Sequence, residues 1–261
     1  MKKLLFVLAF FALERFCYFQ TDGFILSKML VENSPPPPGP SETLTFIGAG
    51  KQFYAFETSD HQYVVKFLKF SRRRPLPWLK KFPFFTHYLA ERAKRLANLK
   101  SSSQLAQKHL SDEAALVSYP LSKNLLLIDK LGISYPVDRS QTIFIVQKKA
   151  NPFTAYFDQN PSQAQNLISS YIHLISSQCK KGICNLDPLL DRNYGVVCNE
   201  AILMDIGSLL PHPKLHHIAG IQREIFIELL PLRHWLQKNH PEHLSYFDFH
   251  SQIALDFAHF Q

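Results

Sequence analysis

Four cysteines, Cys17, Cys179, Cys184 and Cys198, are all that this 261-residue chain contains, and they form no C-x-x-C pair and have no histidine at zinc-ligand spacing. A structural zinc site is therefore not expected. Nor is a disulfide framework needed, because a chain of this length can bury a core, so the redox compartment stays open. Long apolar runs are also missing. The ten residues from Leu4 to Leu13 end at Glu14 and Arg15, and ten residues of helix span about 15 Å, about half of a bilayer core. No internal repeat is found, which excludes solenoids and arrays. Negative charge is scarce: 21 acidic residues against 29 basic ones leave a net charge of +8. That balance favours anionic partners such as nucleotide phosphates, nucleic acid or an acidic membrane face, and a basic surface kept for solubility explains it as well. What the chain has in quantity is apolar side chains, 46% with 13% aromatic, which excludes a disordered chain.

Residues 1–34 are expected to form a hydrophobic leader and connecting segment. Lys2 and Lys3 followed by the apolar run make the head and core of a secretory signal, but no small-x-small cleavage site follows,. A cleaved signal, an uncleaved anchor and a buried N-terminal helix stay open. Residues 35–40, five prolines and Gly39, form a stiff spacer, because each proline fixes its backbone angle and lacks an amide donor,. The domain boundary is placed there, with a proline ligand for a recognition module as the alternative.

In the body, apolar and aromatic runs at Leu44–Ile47, Tyr54–Phe56 and Tyr63–Leu68 predict three antiparallel strands, the last two joined at Ser59-Asp60-His61,. Residues 84–110 predict one long helix, or two broken near Ser101-Ser102-Ser103,. Strands are expected at Ala114–Tyr119, Leu125–Leu131 and Thr142–Gln147. Ala164, Leu167, Ile168, Tyr171, Ile172 and Ile175 fall at helical spacing, with Gly182 as the stop,. A hairpin at Gly195–Cys198 and Ala201–Met204 follows, then helices over 216–261 with breaks at Pro231 and Pro241.

Four segments carry chemistry. Gly48-Ala49-Gly50-Lys51-Gln52-Phe53 sits at the first strand-turn-strand, where glycines let backbone amides approach phosphate oxygens,. Tyr63-Val64-Val65-Lys66 puts a lysine one strand later. Asn185-Leu186-Asp187 follows the apolar helix, with Asn193 six residues beyond Asp187. Ile202-Leu203-Met204-Asp205-Ile206-Gly207 delivers a carboxylate at a strand end 12 residues after Asn193, where a cation or donor must meet it. In this order the four segments resemble the glycine-rich loop, strand lysine, catalytic loop and Asp-Phe-Gly segment of the protein-kinase-like superfamily.

The resemblance implies an α+β, two-lobed fold: a small antiparallel β-sheet N-lobe with one long helix over residues 41–150, and a short, mainly helical C-lobe over 151–261. It implies an ATP- and Mg²⁺-dependent phosphotransferase acting on a hydroxyl-bearing substrate, with nucleotide rather than nucleic acid as partner. Lys66 would hold the phosphates with Gly48 and Gly50, Asp187 would orient the acceptor hydroxyl, and Asn193 and Asp205 would bind the metal. The strand through Gln147 would lead into the hinge that meets adenine, and Glu91 or Glu113 would pair with Lys66. Departures are Phe53 in place of a third glycine, a spacing of six rather than about five between Asp187 and Asn193,, and no His-Arg before the Asp, which makes Asp191 a competing base. No Ala-Pro-Glu segment follows in the 54 residues after Gly207, which points to small-molecule, lipid or sugar kinases. A pseudokinase and an envelope-associated interaction protein are the rivals. Localisation is read as membrane-associated or exported, with cytoplasmic as the alternative, since Lys2 and Lys3 would hold a spanning leader so that the body lies outside, where ATP is scarce. His212, His216 and His217 are expected to be solvated loop residues.

Overall fold

The computed structural model describes residues 12–13, 15–16, 18–31, 38–70 and 83–256. The leader over residues 1–11, the prolines at 35–37 and the side chain of Glu91 lie outside the described residues. The chain is mixed α+β and divides into two compact units, one made of residues 1–93 and 117–149, the other of residues 94–116 and 150–261.

The first unit is built on six strands: β1 (Ser41–Ala49), β2 (Phe53–Thr58), β3 (Tyr63–Leu68), β4 (Asn124–Ile128), β5 (Ser134–Asp138) and β6 (Phe144–Lys148). They lie in the order β5-β4-β1-β2-β3-β6. The predicted turn at Asp60 forms as a side-chain-closed loop: Asp60 Oδ1 accepts from Thr58 Oγ1 at 2.5 Å and from the Gln62 amide at 3.0 Å, and His61 takes a positive φ of 58°,. The sheet is not wholly antiparallel as expected, because β1 and β4 pair in parallel from Ser41↔Asn124 to Thr45↔Ile128. Parallel neighbours need a long crossover rather than a tight turn, and the long helix between β3 and β4 supplies it.

One face of this sheet carries Leu44, Phe46, Tyr54, Phe56, Val65, Phe67, Leu125 and Leu127, all in the core. Phe24, Met29 and Leu30 cover that face, so packing continues on the N-terminal side of the prolines where the sequence placed the boundary. Phe24 contacts four rings, with centroids 5.4 Å from Phe46, 5.1 Å from Tyr54, 5.5 Å from Phe56 and 5.6 Å from Tyr135. Tyr54 ties the segment down: its hydroxyl donates to the Gly23 carbonyl at 3.0 Å and accepts from the Ile25 amide at 3.1 Å.

Two strand expectations change. Residues 111–115 turn back after the long helix, with the Leu116 amide donating to the Ser111 carbonyl at 2.7 Å, so Ala114–Tyr119 is no strand. β5 was not foreseen because Pro136 interrupts its pattern; it is an edge strand, where a missing amide is tolerated,. Asp129 folds the β4–β5 turn, accepting from the amides of Leu131 and Ile133, each at 2.9 Å.

The helix α1 (Pro83–His109) is continuous through the three serines, and residues from Lys94 onward belong to the second unit. That unit continues with β7 (Asn151–Pro152), α2 (Phe153–Gln159), α3 (Ala164–Lys180), β8 (Ile183–Asn185), the short α4 (Leu190–Asn193), β9 (Tyr194–Val197), β10 (Glu200–Leu203), β11 (Leu209–Pro211), α5 (Ile218–Asn239) and α6 (Leu244–Asp256). The six apolar α3 positions named from periodicity are all buried, and Gly182, at φ 76°, ends the helix,. Pro231 does not break α5 as expected. A proline ring removes one helical hydrogen bond, and burial of Ile225, Leu229, Leu232 and Leu236 holds the remaining turns.

Candidate functional site

In the second unit, the segment between β8 and β9 is fixed from below by Asn185. Its side-chain oxygen accepts from the Asp187 amide at 3.1 Å and from Ser208 Oγ at 2.7 Å, and its side-chain nitrogen donates to Tyr194 Oη at 3.3 Å. Asn185 is buried, so these bonds are made out of competition with water,. The β8–β11 ladder pairs Asn185 with Leu209, and the Leu186 amide donates to the Ser208 carbonyl at 3.1 Å. Asp187 and the Asp205–Ser208 turn are thereby held to one another.

Asn193 makes the second link. Its side-chain nitrogen donates to the Asp187 carbonyl, which leaves its side-chain oxygen as the group available to another partner. Its main-chain carbonyl accepts from the amides of Met204 at 2.8 Å and Asp205 at 3.3 Å. Asp205 Oδ1 accepts from the Gly207 amide at 2.9 Å, so the carboxylate is oriented by its own turn. The extra residue between Asp187 and Asn193 is absorbed by α4: the Leu189 amide donates to the Asp187 carbonyl at 2.8 Å and the Asn193 amide to the Leu189 carbonyl at 2.9 Å. Asp191, the competing base, is exposed on that turn and takes no part in these bonds.

Two features here were not seen in the sequence. Ser102, one of three serines where a helix break was the alternative, is buried in α1 and donates to the Ile206 carbonyl at 2.5 Å while accepting from the Leu209 amide at 2.8 Å. Glu228 of α5 is fully buried and accepts from the Asn185 amide at 2.9 Å and from Gln178 Nε2 at 2.9 and 3.0 Å. Burial pushes its carboxyl up to about 8; the Asn185 and Gln178 donors oppose the rise, and Glu224 adds to it,. The available signal was a charged residue on the apolar stripe Ile225, Leu229, Leu232,.

In the first unit, Lys66 pairs in register with Ala55 on β2 and Ile145 on β6. Alternation places it on the face opposite Val65 and Phe67. Gly48 lies at a bulge of the β1–β2 pairing. A side chain there would meet nothing within 4 Å, and one at Gly50 only the Phe53 carbonyl at 3.9 Å. Phe53, in place of a third glycine, is buried at the start of β2 opposite Leu68. Gln147 is buried on β6 in register with Val64.

Glu113, one of the two acids named for Lys66, has partners within its own unit. It bonds Lys181, accepts from Ser177 Oγ at 2.6 Å, and its main-chain carbonyl accepts from the Leu203 amide at 2.7 Å. His212 and His216, with His109 of α1 and Lys181, border a cleft of about 280 Å³. Among the described residues no group of His, Cys, Asp and Glu is arranged to hold a metal ion, and no helix is long and apolar enough to cross a membrane.

No family model matches the chain, and no curated protein matches it. Among solved structures it is similar to a high-resolution crystal structure of WbdD, at 15% identity and a TM-score of 0.37 over 77% of this chain and 44% of that one. A structure of the bifunctional kinase-methyltransferase WbdD gives 16% identity and a TM-score of 0.38 over 77% and 43%. WbdD with the kinase inhibitor LY294002 gives 15% and 0.37 over 79% and 45%. The chain thus spans less than half the length of each of these proteins.

Proposed function

We propose that the chain is a kinase-like phosphotransferase that uses ATP and Mg²⁺ to phosphorylate a hydroxyl-bearing acceptor. The observation that carries the reading is the double role of Asn193, bonded through its side chain to Asp187 and through its main chain to Asp205. It ties the backbone of Asp187 and of Asp205 to one residue, so that three oxygen-bearing side chains sit on one loop and strand end, with one residue more between Asp187 and Asn193 than is common in kinases,. Their chemistry fits a hard cation, since carboxylate and amide oxygens suit Mg²⁺ and no thiol or imidazole is among them. Bound with ATP, Mg²⁺ would supply neutralisation of phosphate charge.

In this scheme Asn193 and Asp205 would hold the metal through side-chain oxygens. Asp187 would orient the acceptor hydroxyl and take its proton, Lys66 would offer its ammonium to the phosphates, and Gly48 and Gly50 would leave the backbone open to them. Gln147 would lie on the strand leading to the adenine-binding segment.

A pseudokinase is the second reading, favoured by the neutral Asn185 and Leu186 ahead of Asp187. ADP formation from MgATP separates the two. Turnover in the wild type that vanishes in Asp187→Ala, with nucleotide binding retained, supports the transferase. Binding without turnover gives the pseudokinase, and no binding at all defeats both. We also propose that the N-terminal segment lies against a membrane, because Leu13, Phe16 and Phe19 are 61%, 58% and 66% exposed,. Flotation of the full chain with vesicles, compared with a chain lacking residues 1–20, tests this.

A further inference from the structure

The turn joining β1 to β2 is gripped by Lys69, just past the end of β3. Its Nζ donates to the Gly50 carbonyl at 2.6 Å and lies 4.0 Å from the centre of the Tyr54 ring. Its main-chain amide donates to the Gln52 carbonyl at 2.9 Å, and the Gly50 amide donates to the Phe53 carbonyl at 3.0 Å. Tyr54 belongs to the aromatic core, so Lys69 stands on the core side of the sheet, opposite to Lys66.

The Gly50 carbonyl and the Lys51 amide belong to one trans peptide plane, in which C=O and N–H point in opposite directions,. Drawing the carbonyl toward Lys69 points the Lys51 N–H away from Lys69,. Among the described residues that amide has no hydrogen-bond partner. An open donor beside two glycines with free space around them suits a phosphate oxygen.

We propose that Lys69 is a positioning residue for nucleotide phosphate, aiming the Lys51 amide at it by holding the Gly50 carbonyl from behind. This rests on the phosphotransferase reading. The half-buried ammonium has no carboxylate partner among the described residues. Burial, and then Lys28, bring its pKa down to about 8. Among the described residues, Lys28 and Tyr54 are titratable groups beside it, and burial pushes the Tyr54 phenol up to about 12. Lys69 is charged and holds the carbonyl below about pH 8, and the hold weakens above it.

The test is MgADP affinity of the full chain from about pH 7 to 9.5, with the Lys51 amide shift recorded by NMR. Wild-type affinity should fall about tenfold across that range, the effect of one charge-assisted hydrogen bond. Lys69→Arg, which stays charged, should hold its affinity throughout. Lys69→Met should be about tenfold weaker at pH 7 and lose the Lys51 shift, with an unfolding transition showing that it is folded. Wild-type affinity in Lys69→Met, a wild-type profile as flat as that of Lys69→Arg, or a Lys51 amide unmoved by MgADP overturns the proposal. If the wild type binds no nucleotide, the phosphotransferase reading falls with it. If it binds and needs Asp205 for its Mg²⁺ dependence while Lys69→Met is neutral, only the role of Lys69 falls.

Discussion

Replacing Glu228 by Gln should change how stability depends on pH. In the unfolded chain the carboxyl returns to its ordinary value of 4.5, whereas in the fold burial holds it at about 8. Between those values the folded protein binds more protons than the unfolded one, so stability is highest below about pH 4.5 on this account, falls as pH rises, and levels off above about 8,. A shift of this size corresponds to a loss on the order of 5 kcal/mol across the window. Gln cannot ionise, so the variant should be flatter between pH 5 and 9. It should be less stable than wild type at the acid end by about 1–3 kcal/mol, because its amide nitrogen would face the Gln178 donor. Urea unfolding at unit steps from pH 5 to 9, analysed as the difference between the two proteins, measures this. Parallel curves, or wild-type stability that rises relative to the variant with pH, would refute a protonated carboxyl beneath Asn185.

Phe24→Ala should cost about 3–5 kcal/mol, the usual loss for a core phenylalanine, seen as a lowered urea midpoint; an unchanged midpoint would mean that the segment before the prolines is not part of the core. Gly195→Ala should destabilise the β9–β10 hairpin, since its methyl would lie 2.7 Å from Met204 Sδ and 2.9 Å from the Asn151 carbonyl oxygen, and a wild-type Tm would contradict this. Asn185→Ala leaves the Ser208 hydroxyl and the Asp187 amide without their shared acceptor. Hydrogen exchange at Asp187 should then speed up by about tenfold or more, and unchanged protection would show that Asn185 does not order the loop.

The first three strands and the α3 stripe were legible because they rest on local patterns: apolar and aromatic runs in β1 to β3, and a 3.6-residue apolar period from Ala164 to Ile175. The parallel pairing of β1 with β4 was not, because it depends on where the chain returns after a 27-residue helix. Asp187, Asn193 and Asp205 could be named from the resemblance of their segments to those of kinases, but the bonds between those segments run through main-chain groups of Asn193 and Asp187 that no residue-type pattern displays. Ser102 and Glu228 were hidden for the opposite reason. Their side chains look wrong for where they sit, a serine inside a helix and an acid on an apolar stripe, and only the donors and acceptors brought by distant segments make them favourable. The bonds of Glu113 to Ser177 and Lys181 were hidden in the same way, because they join residues more than 60 positions apart.

The most direct measurement is calorimetric titration of ATP into the full chain with and without Mg²⁺, repeated for Asp205→Ala. Tighter binding with the metal in the wild type, and loss of that gain in the variant, is the predicted result. Affinity that ignores Mg²⁺, or a variant that keeps the full metal effect, would contradict a metal-binding carboxylate at the end of β10.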